Sequence, residues 1–121
     1  MSHISALYGT CPFATAQEVI AGKWKLLIIK YINDGYVRFG QLRKKLPGCT
    51  QTMLTNQLRC LERDGIIRRT VFAEVPPHVE YSLTEVGRQL PPIISQIGSW
   101  GVNYIKVCSD RINEHLLDEE A

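Results

Sequence analysis

The chain has 121 residues, 45% of them hydrophobic and 21% charged, with a formal net charge of +2. That length fits one domain with a modest core, here expected over residues 1–121, and the composition excludes disordered and collagen-like classes. No apolar run approaches the roughly 20 residues that a membrane helix needs. The start MSHISALYGTCPF also lacks the basic-then-apolar layout of a secretory signal, so a cytoplasmic protein is expected.

A first helix is expected to open at Pro12, since proline suits the first helical position, and to run from Phe13 to Ile20 until Ala21-Gly22 breaks it. From Lys23 to Asn33, helical spacing puts Trp24, Leu27, Ile28, Tyr31 and Ile32 on one face and turns Lys23, Lys25 and Lys30 outward. Asp34-Gly35 signals a turn, and Tyr36-Val37-Arg38 reads as a short strand. Phe39, Leu42 and Leu46 mark a third helix, which Pro47-Gly48 ends. Thr50 is the expected cap of a fourth, Gln51 to Asp64, with a core stripe of Leu54, Leu58 and Leu61 and a stop at Gly65. Two runs of β character follow, Ile66 to Val75 and His78 to Leu83, and Pro76-Pro77 between them makes a hairpin with a stiff tip. Thr84-Glu85 opens the last helical stretch, along which Val86, Leu90, Ile94, Ile97, Trp100, Tyr104, Ile105, Cys108 and Ile112 recur. Pro91-Pro92 should kink or restart that helix, and residues beyond about 112 should fray.

The expected fold is therefore mainly α with a small β-hairpin. Two short helices joined by a Pro-Gly turn and followed by a hairpin make the plan of a winged helix-turn-helix, with extra helices at both ends. Charge is uneven along it. Residues 38–69 carry eight basic side chains against Glu62 and Asp64, whereas residues 110–121 set Arg111 against five carboxylates in an acidic tail. A basic middle suits a polyanion, although a solvated basic face with no partner has the same composition.

The fourth helix carries the best functional candidates. At 100° per residue, Thr52, Asn56, Arg59 and Arg63 form a stripe opposite the leucines, flanked at the N-terminal end by Gln51 and Thr55. Exposed helix faces usually favour Glu and Lys, while Asn, Gln, Thr and Arg are side chains that read base edges in the major groove. Arg68, Arg69 and His78 border the hairpin, where a basic wing would meet phosphates or the minor groove. Arg43, Lys44 and Lys45 end the third helix, where cations answer the helix dipole as readily as they answer a phosphate.

Cys11, Cys49, Cys60 and Cys108 contain no CxxC pair, and His3, His78 and His115 are scattered, so no metal or cofactor site is expected. Cys60 and Cys108 fall near apolar stripes and are expected in the core, and Cys49 in its Pro-Gly-Cys-Thr turn is expected to be exposed. Cys11 precedes Pro12, and a helix N-terminus stabilises a thiolate; the alternative is an inert, half-buried thiol beside a Thr10 cap. Nothing in the sequence builds an enzyme, as there is no phosphate-cradling glycine loop and no Ser/His/Asp set.

The segments GKWKLLII, RFGQLRKKLPG, TMLTNQLRCLERDGII and EVPPHVEYSLTEVG, in this order between Cys11 and about Trp100, resemble the HxlR family of bacterial regulators. The resemblance implies a winged-helix homodimer joined through its first and last helices, with Ile94, Ile97, Trp100, Tyr104 and Ile105 in the seam. It also implies a double-stranded, pseudo-palindromic DNA operator as partner, repression as the output, and an electrophile or oxidant as the effector acting at the Cys-Pro position, here Cys11. The family often has lysine where Thr52 stands, and Pro91-Pro92 and Gly40 are departures from its pattern. Two competing readings are a winged helix used for protein interaction, which would favour exposed aromatics and Met on the fourth helix, and a thiol-dependent redox enzyme, which would need a resolving partner for Cys11.

Overall fold

The computed structural model of the protein describes residues 7–120; His3 and the ends of the single-domain expectation, residues 1–6 and 121, lie outside the described residues. The chain divides into two compact units, residues 1–91 and 92–121.

The first unit contains α1 (Pro12–Ile20), α2 (Lys25–Asn33), α3 (Phe39–Lys45), α4 (Gln51–Arg63), β1 (Ile67–Phe72), β2 (His78–Leu83) and a 3-10 turn over Gly87–Gln89. Local signals set most boundaries. Pro12 opens α1, and Ala21 ends it by donating its N–H to the Gln17 carbonyl at 2.8 Å. Thr50 Oγ1 accepts from the Met53 N–H at 3.1 Å and caps α4, while Gly65, at φ +77°, supplies the left-handed residue that turns the chain out of that helix.

The core of this unit is aliphatic. Ile28, Ile29, Leu42, Leu46, Leu54, Leu58, Leu61 and Ile67 are almost wholly enclosed, as α2 packs on α3 and β2 and α4 packs on β1. Covering α2 from two sides moves its buried face away from the expected stripe. Ile28, Ile29 and Ile32 are buried, Leu27 is exposed, and Lys25, expected outside, is only 9% exposed. A lysine can be enclosed in this way through its aliphatic stem while the ammonium end keeps to the surface.

Tyr36-Val37-Arg38 does not form the expected strand. The Val37 carbonyl accepts one bond, from the Tyr81 N–H at 2.8 Å, and the chain then turns at once into α3, where Gln41 Oε1 accepts from the Arg38 N–H at 3.1 Å. β1 and β2 pair antiparallel from Ile67↔Leu83 to Phe72↔His78. Of the strand residues only Ile67 and Leu83 are buried, so the hairpin is rooted in the core at one end and projects as a wing. The sequence α3, turn, α4, hairpin is a winged helix-turn-helix.

The second unit consists of most of α5 (Leu90–Val107) and of α6 (Ser109–Glu120). Pro91 and Pro92 sit in the first turn of α5, where no N–H partner is required, so they restart the helix after the 3-10 turn rather than kink it. The stretch beyond residue 112 is helical instead of frayed. Asp110 lies in the first turn of α6, where a carboxylate suits the helix dipole, and the Ile112 N–H bonds the Cys108 carbonyl at 3.1 Å. No residue of α5 is buried. Among the described residues no helix is long and apolar enough to cross a membrane.

Candidate nucleic-acid interface

α4 presents its leucines to the core and its polar stripe to solvent: Gln51, Thr52, Asn56, Arg59 and Arg63 are exposed, and Thr55 is half-buried. Its first turn carries no acidic residue, so the partial positive charge of the helix N-terminus is left for an outside anion. Arg63 Nε lies 3.4 Å from Asp64 Oδ1, whereas Arg59 has no ion-pair partner among the described residues. Arg43 and Lys44 are exposed at the end of α3, and the neighbouring Lys45 Nζ sits 4.5 Å over the Tyr36 ring.

On the wing, Arg68 and Arg69 are exposed and alternate across β1. Arg69 pairs across the hairpin with Tyr81, and the two line a cleft of about 360 Å³ with Thr55, Arg59 and Glu62 of α4. His78 is placed differently from the arginines. Its Nδ1 lies 3.0 Å from Glu74 Oε2 and its Nε2 3.0 Å from Glu80 Oε2, and its ring stacks on Phe72. The positive charge of the wing therefore lies at its root, while its end carries two carboxylates around an engaged histidine. Met53, 45% exposed beside Thr52, is an apolar surface residue of α4 outside the polar stripe. Its position, 100° from the Leu54 stripe, is the one signal that marks it.

Cys11 is itself the cap position of α1, but its sulfur makes no cap bond; its backbone carbonyl accepts from the Thr15 N–H at 2.9 Å and Oγ1 at 2.7 Å. Cys11 is half-buried, and Cys60 and Cys108, expected in the core, are half-buried too, because Cys60 lies at the edge of the apolar face of α4 rather than under it and Cys108 stands at the junction of α5 and α6, outside the core. Cys49 is buried rather than exposed, at 4%, in the tight turn where its N–H bonds the Leu46 carbonyl at 3.0 Å. Burial pushes its thiol up from the ordinary 9.0, with Arg43 pulling weakly the other way. Among the described residues no group of three His, Cys, Asp or Glu side chains could hold a metal ion.

On α5, Ile97, Trp100 and Ile105 are exposed, Trp100 at 65%, and Ile94 and Tyr104 are half-buried. The Trp100 and Tyr104 rings stack 5.2 Å apart.

The sequence profile of the HxlR-like helix-turn-helix family matches residues 19–109. The chain is 50% identical over 104 residues to the uncharacterized HTH-type transcriptional regulator YdeP of Bacillus subtilis (strain 168), covering 86% of this chain and 78% of YdeP. Among solved structures it is similar to the redox regulator HypR in its oxidized form, with a TM-score of 0.73 and 50% identity over 77% of this chain and 96% of that one. The reduced form of HypR gives 0.76 and 47%, over 82% and 98%.

Proposed function

The chain belongs to the HxlR-like helix-turn-helix family of transcriptional regulators, and on that footing we propose that it is a homodimeric repressor that reads a double-stranded operator with α4. The observation that carries this reading is the exposed polar face of α4. Gln51, Thr52, Asn56 and Arg59 can each bond base edges, and the N-terminal half of the helix is the end that such docking inserts. Thr55 and Arg63 flank that face, while Arg43, Lys44, Arg68 and Arg69 hold phosphates on either side of it. His78, with both ring nitrogens taken up by carboxylates, shapes the wing instead of gripping DNA.

A second copy supplies the symmetry that a pseudo-palindromic operator requires. Support comes from the uncovered apolar residues of α5 and from Phe13 on α1, 86% exposed. Cys11 is the thiol through which an electrophile or oxidant acts on the regulator. Its sulfur has no capping duty, and HypR, half identical to this chain, is a redox regulator with oxidized and reduced forms. The regulator works in the cytoplasm and catalyses no reaction.

The test is a band shift with DNA upstream of the chain's own gene, at several salt concentrations, against random DNA. Nonspecific binding fades steeply with salt, so a sequence-dependent shift that survives is the expected result. Asn56→Ala should cost about 1–3 kcal/mol on the operator and blur its preference, whereas Arg69→Ala should weaken all DNA alike and flatten the salt dependence. Identical behaviour of the two variants on both DNAs would overturn the assignment.

A further inference from the structure

The cleft between α4 and the wing has a composition that DNA contact alone does not explain. Thr55, Arg59 and Glu62 stand at i, i+4 and i+7 on α4 and face the cross-strand pair Arg69 and Tyr81. Two guanidiniums thus enter one cleft from different elements, and among the described residues neither has an ion-pair partner, nor has Glu62. Guanidiniums are fork-shaped donors that match the oxygens of a phosphate or carboxylate, and the Thr55 and Tyr81 hydroxyls add further donors. Glu62 accepts only, so it calls for a donor on the same ligand.

We propose that this cleft binds a small free anion, a phosphate monoester or carboxylate that also carries an ammonium or hydroxyl group, and that its occupancy excludes DNA. A backbone phosphate of DNA shares the oxyanion chemistry but brings no donor to Glu62 and sets like charge against it. The volume of about 360 Å³ also falls within the range of small-molecule sites, well beyond one phosphate group. The exclusion rests on the DNA reading above, because Arg59 and Arg69 cannot hold both partners at once. The site itself does not.

The ligand arm is therefore run on the DNA-free protein. O-phosphoserine and inorganic phosphate are titrated separately at constant ionic strength, with chloride as control, and followed by NMR at the backbone amides and arginine side chains. Saturable shifts confined to Thr55, Arg59, Glu62, Arg69 and Tyr81 are expected, with O-phosphoserine tighter than inorganic phosphate and the Glu62 shift larger with O-phosphoserine. Arg69→Gln should weaken both anions about tenfold or more, the loss of a charge-assisted pair. Glu62→Gln should bring O-phosphoserine down to the level of inorganic phosphate, and should hold DNA at least as tightly as wild type because a carboxylate facing the phosphates is removed. In the second arm, O-phosphoserine should displace a labelled operator fragment from wild type, and less readily from Glu62→Gln. Shifts that never saturate, or that chloride reproduces, overturn the site. Equal affinity for the two anions, unmoved by Glu62→Gln, overturns the free ligand and assigns the cleft to a DNA phosphate. Saturable binding with no displacement overturns the exclusion. Saturable binding in a protein that never shifts DNA leaves the site standing and removes the regulator reading instead.

Discussion

The imidazole of His78 lies nearly flat on the ring of Phe72, 4.7 Å between centroids and 13° between planes, and Glu74 and Glu80 close on its two nitrogens at 3.0 Å each. Phe72↔His78 is the last register pair before the turn, so this cluster is what holds the outer end of the hairpin together. His78→Ala removes the stacked ring and leaves Glu74 and Glu80 each without its imidazole partner. It should lower stability by about 1 kcal/mol, the scale of an aromatic pair, and Phe72→Ala should add little on top of it. Calorimetry of the two single variants and the double variant measures that coupling. Operator and random DNA should lose affinity equally, since the wing is loosened but no reading contact is lost. A His78→Ala protein that melts like wild type yet loses only its operator would instead make His78 a base reader.

Two glycines should respond in opposite directions to the same substitution. A Cβ at Gly87 would run into the Ile66 carbonyl, with Thr84 Oγ1, which accepts from the Gly87 N–H, close by, and backbone cannot swing aside. Gly87→Ala should therefore destabilise by about 2 kcal/mol or more through overpacking. Gly40, the second residue of α3, has open space where its Cβ would stand, so Gly40→Ala should stabilise by about 0.5 kcal/mol or less, since the full interior propensity gain does not apply in the first turn. Denaturant melts of both variants read the two signs, and a shared sign would contradict the packing described at Gly87.

The legible parts of this fold are those set by short-range chemistry. Pro12, Pro47-Gly48, Thr50 and Gly65 act on their own neighbours, and helices α1, α3 and α4 begin and end within a residue or so of where these signals put them. The polar stripe of α4 is a matter of angle along one helix, and it too could be read. What stayed hidden depends on partners distant in sequence. Burial of Lys25 follows from α3 and β2 closing over α2 from two sides, which the helical period alone does not contain. The separation of the wing's charge, with Arg69 beside Tyr81 at its root and His78 clasped at its end, follows from strand register, and a run of basic letters does not reveal it.

The seam on α5 offers a direct test of assembly. Ile94, Ile97, Trp100, Tyr104 and Ile105 are uncovered or half-covered along one helix, more apolar surface than a helix of a soluble chain normally leaves to water. Light scattering at micromolar concentration should give twice the 13.7 kDa of the chain. Trp100→Glu, which sets a charge into the seam, should shift the mass toward monomer and weaken operator binding by removing the second reading helix. A wild-type mass of one chain would end the dimer proposal.

The four thiols should react in an order set by burial as well as by place. Only the thiolate is nucleophilic, and burial holds the Cys49 thiol protonated to higher pH, so Cys49 should be the slowest of the four to alkylate near neutrality. The same shift carries a stability signature. The folded chain keeps a proton on Cys49 that the unfolded chain releases, so stability is unaffected well below 9.0 and falls as pH rises past it toward the folded value. Cys49→Val should flatten that alkaline arm while changing little at neutral pH. Cys11 is expected at the other end of the order, as the first thiol to react with diamide or methylglyoxal, and Cys11→Ser should retain its operator under those reagents while wild type releases it. Mass spectrometry of alkylated peptides at several pH values, beside band shifts of treated protein, gives both readouts. Should Cys11 alkylate no faster than Cys49, and Cys11→Ser release DNA as wild type does, then Cys11 only packs against α1 and the signal enters elsewhere. The cleft between Arg59 and Arg69 would then be the first place to look, because a ligand there needs no thiol to move the protein off DNA.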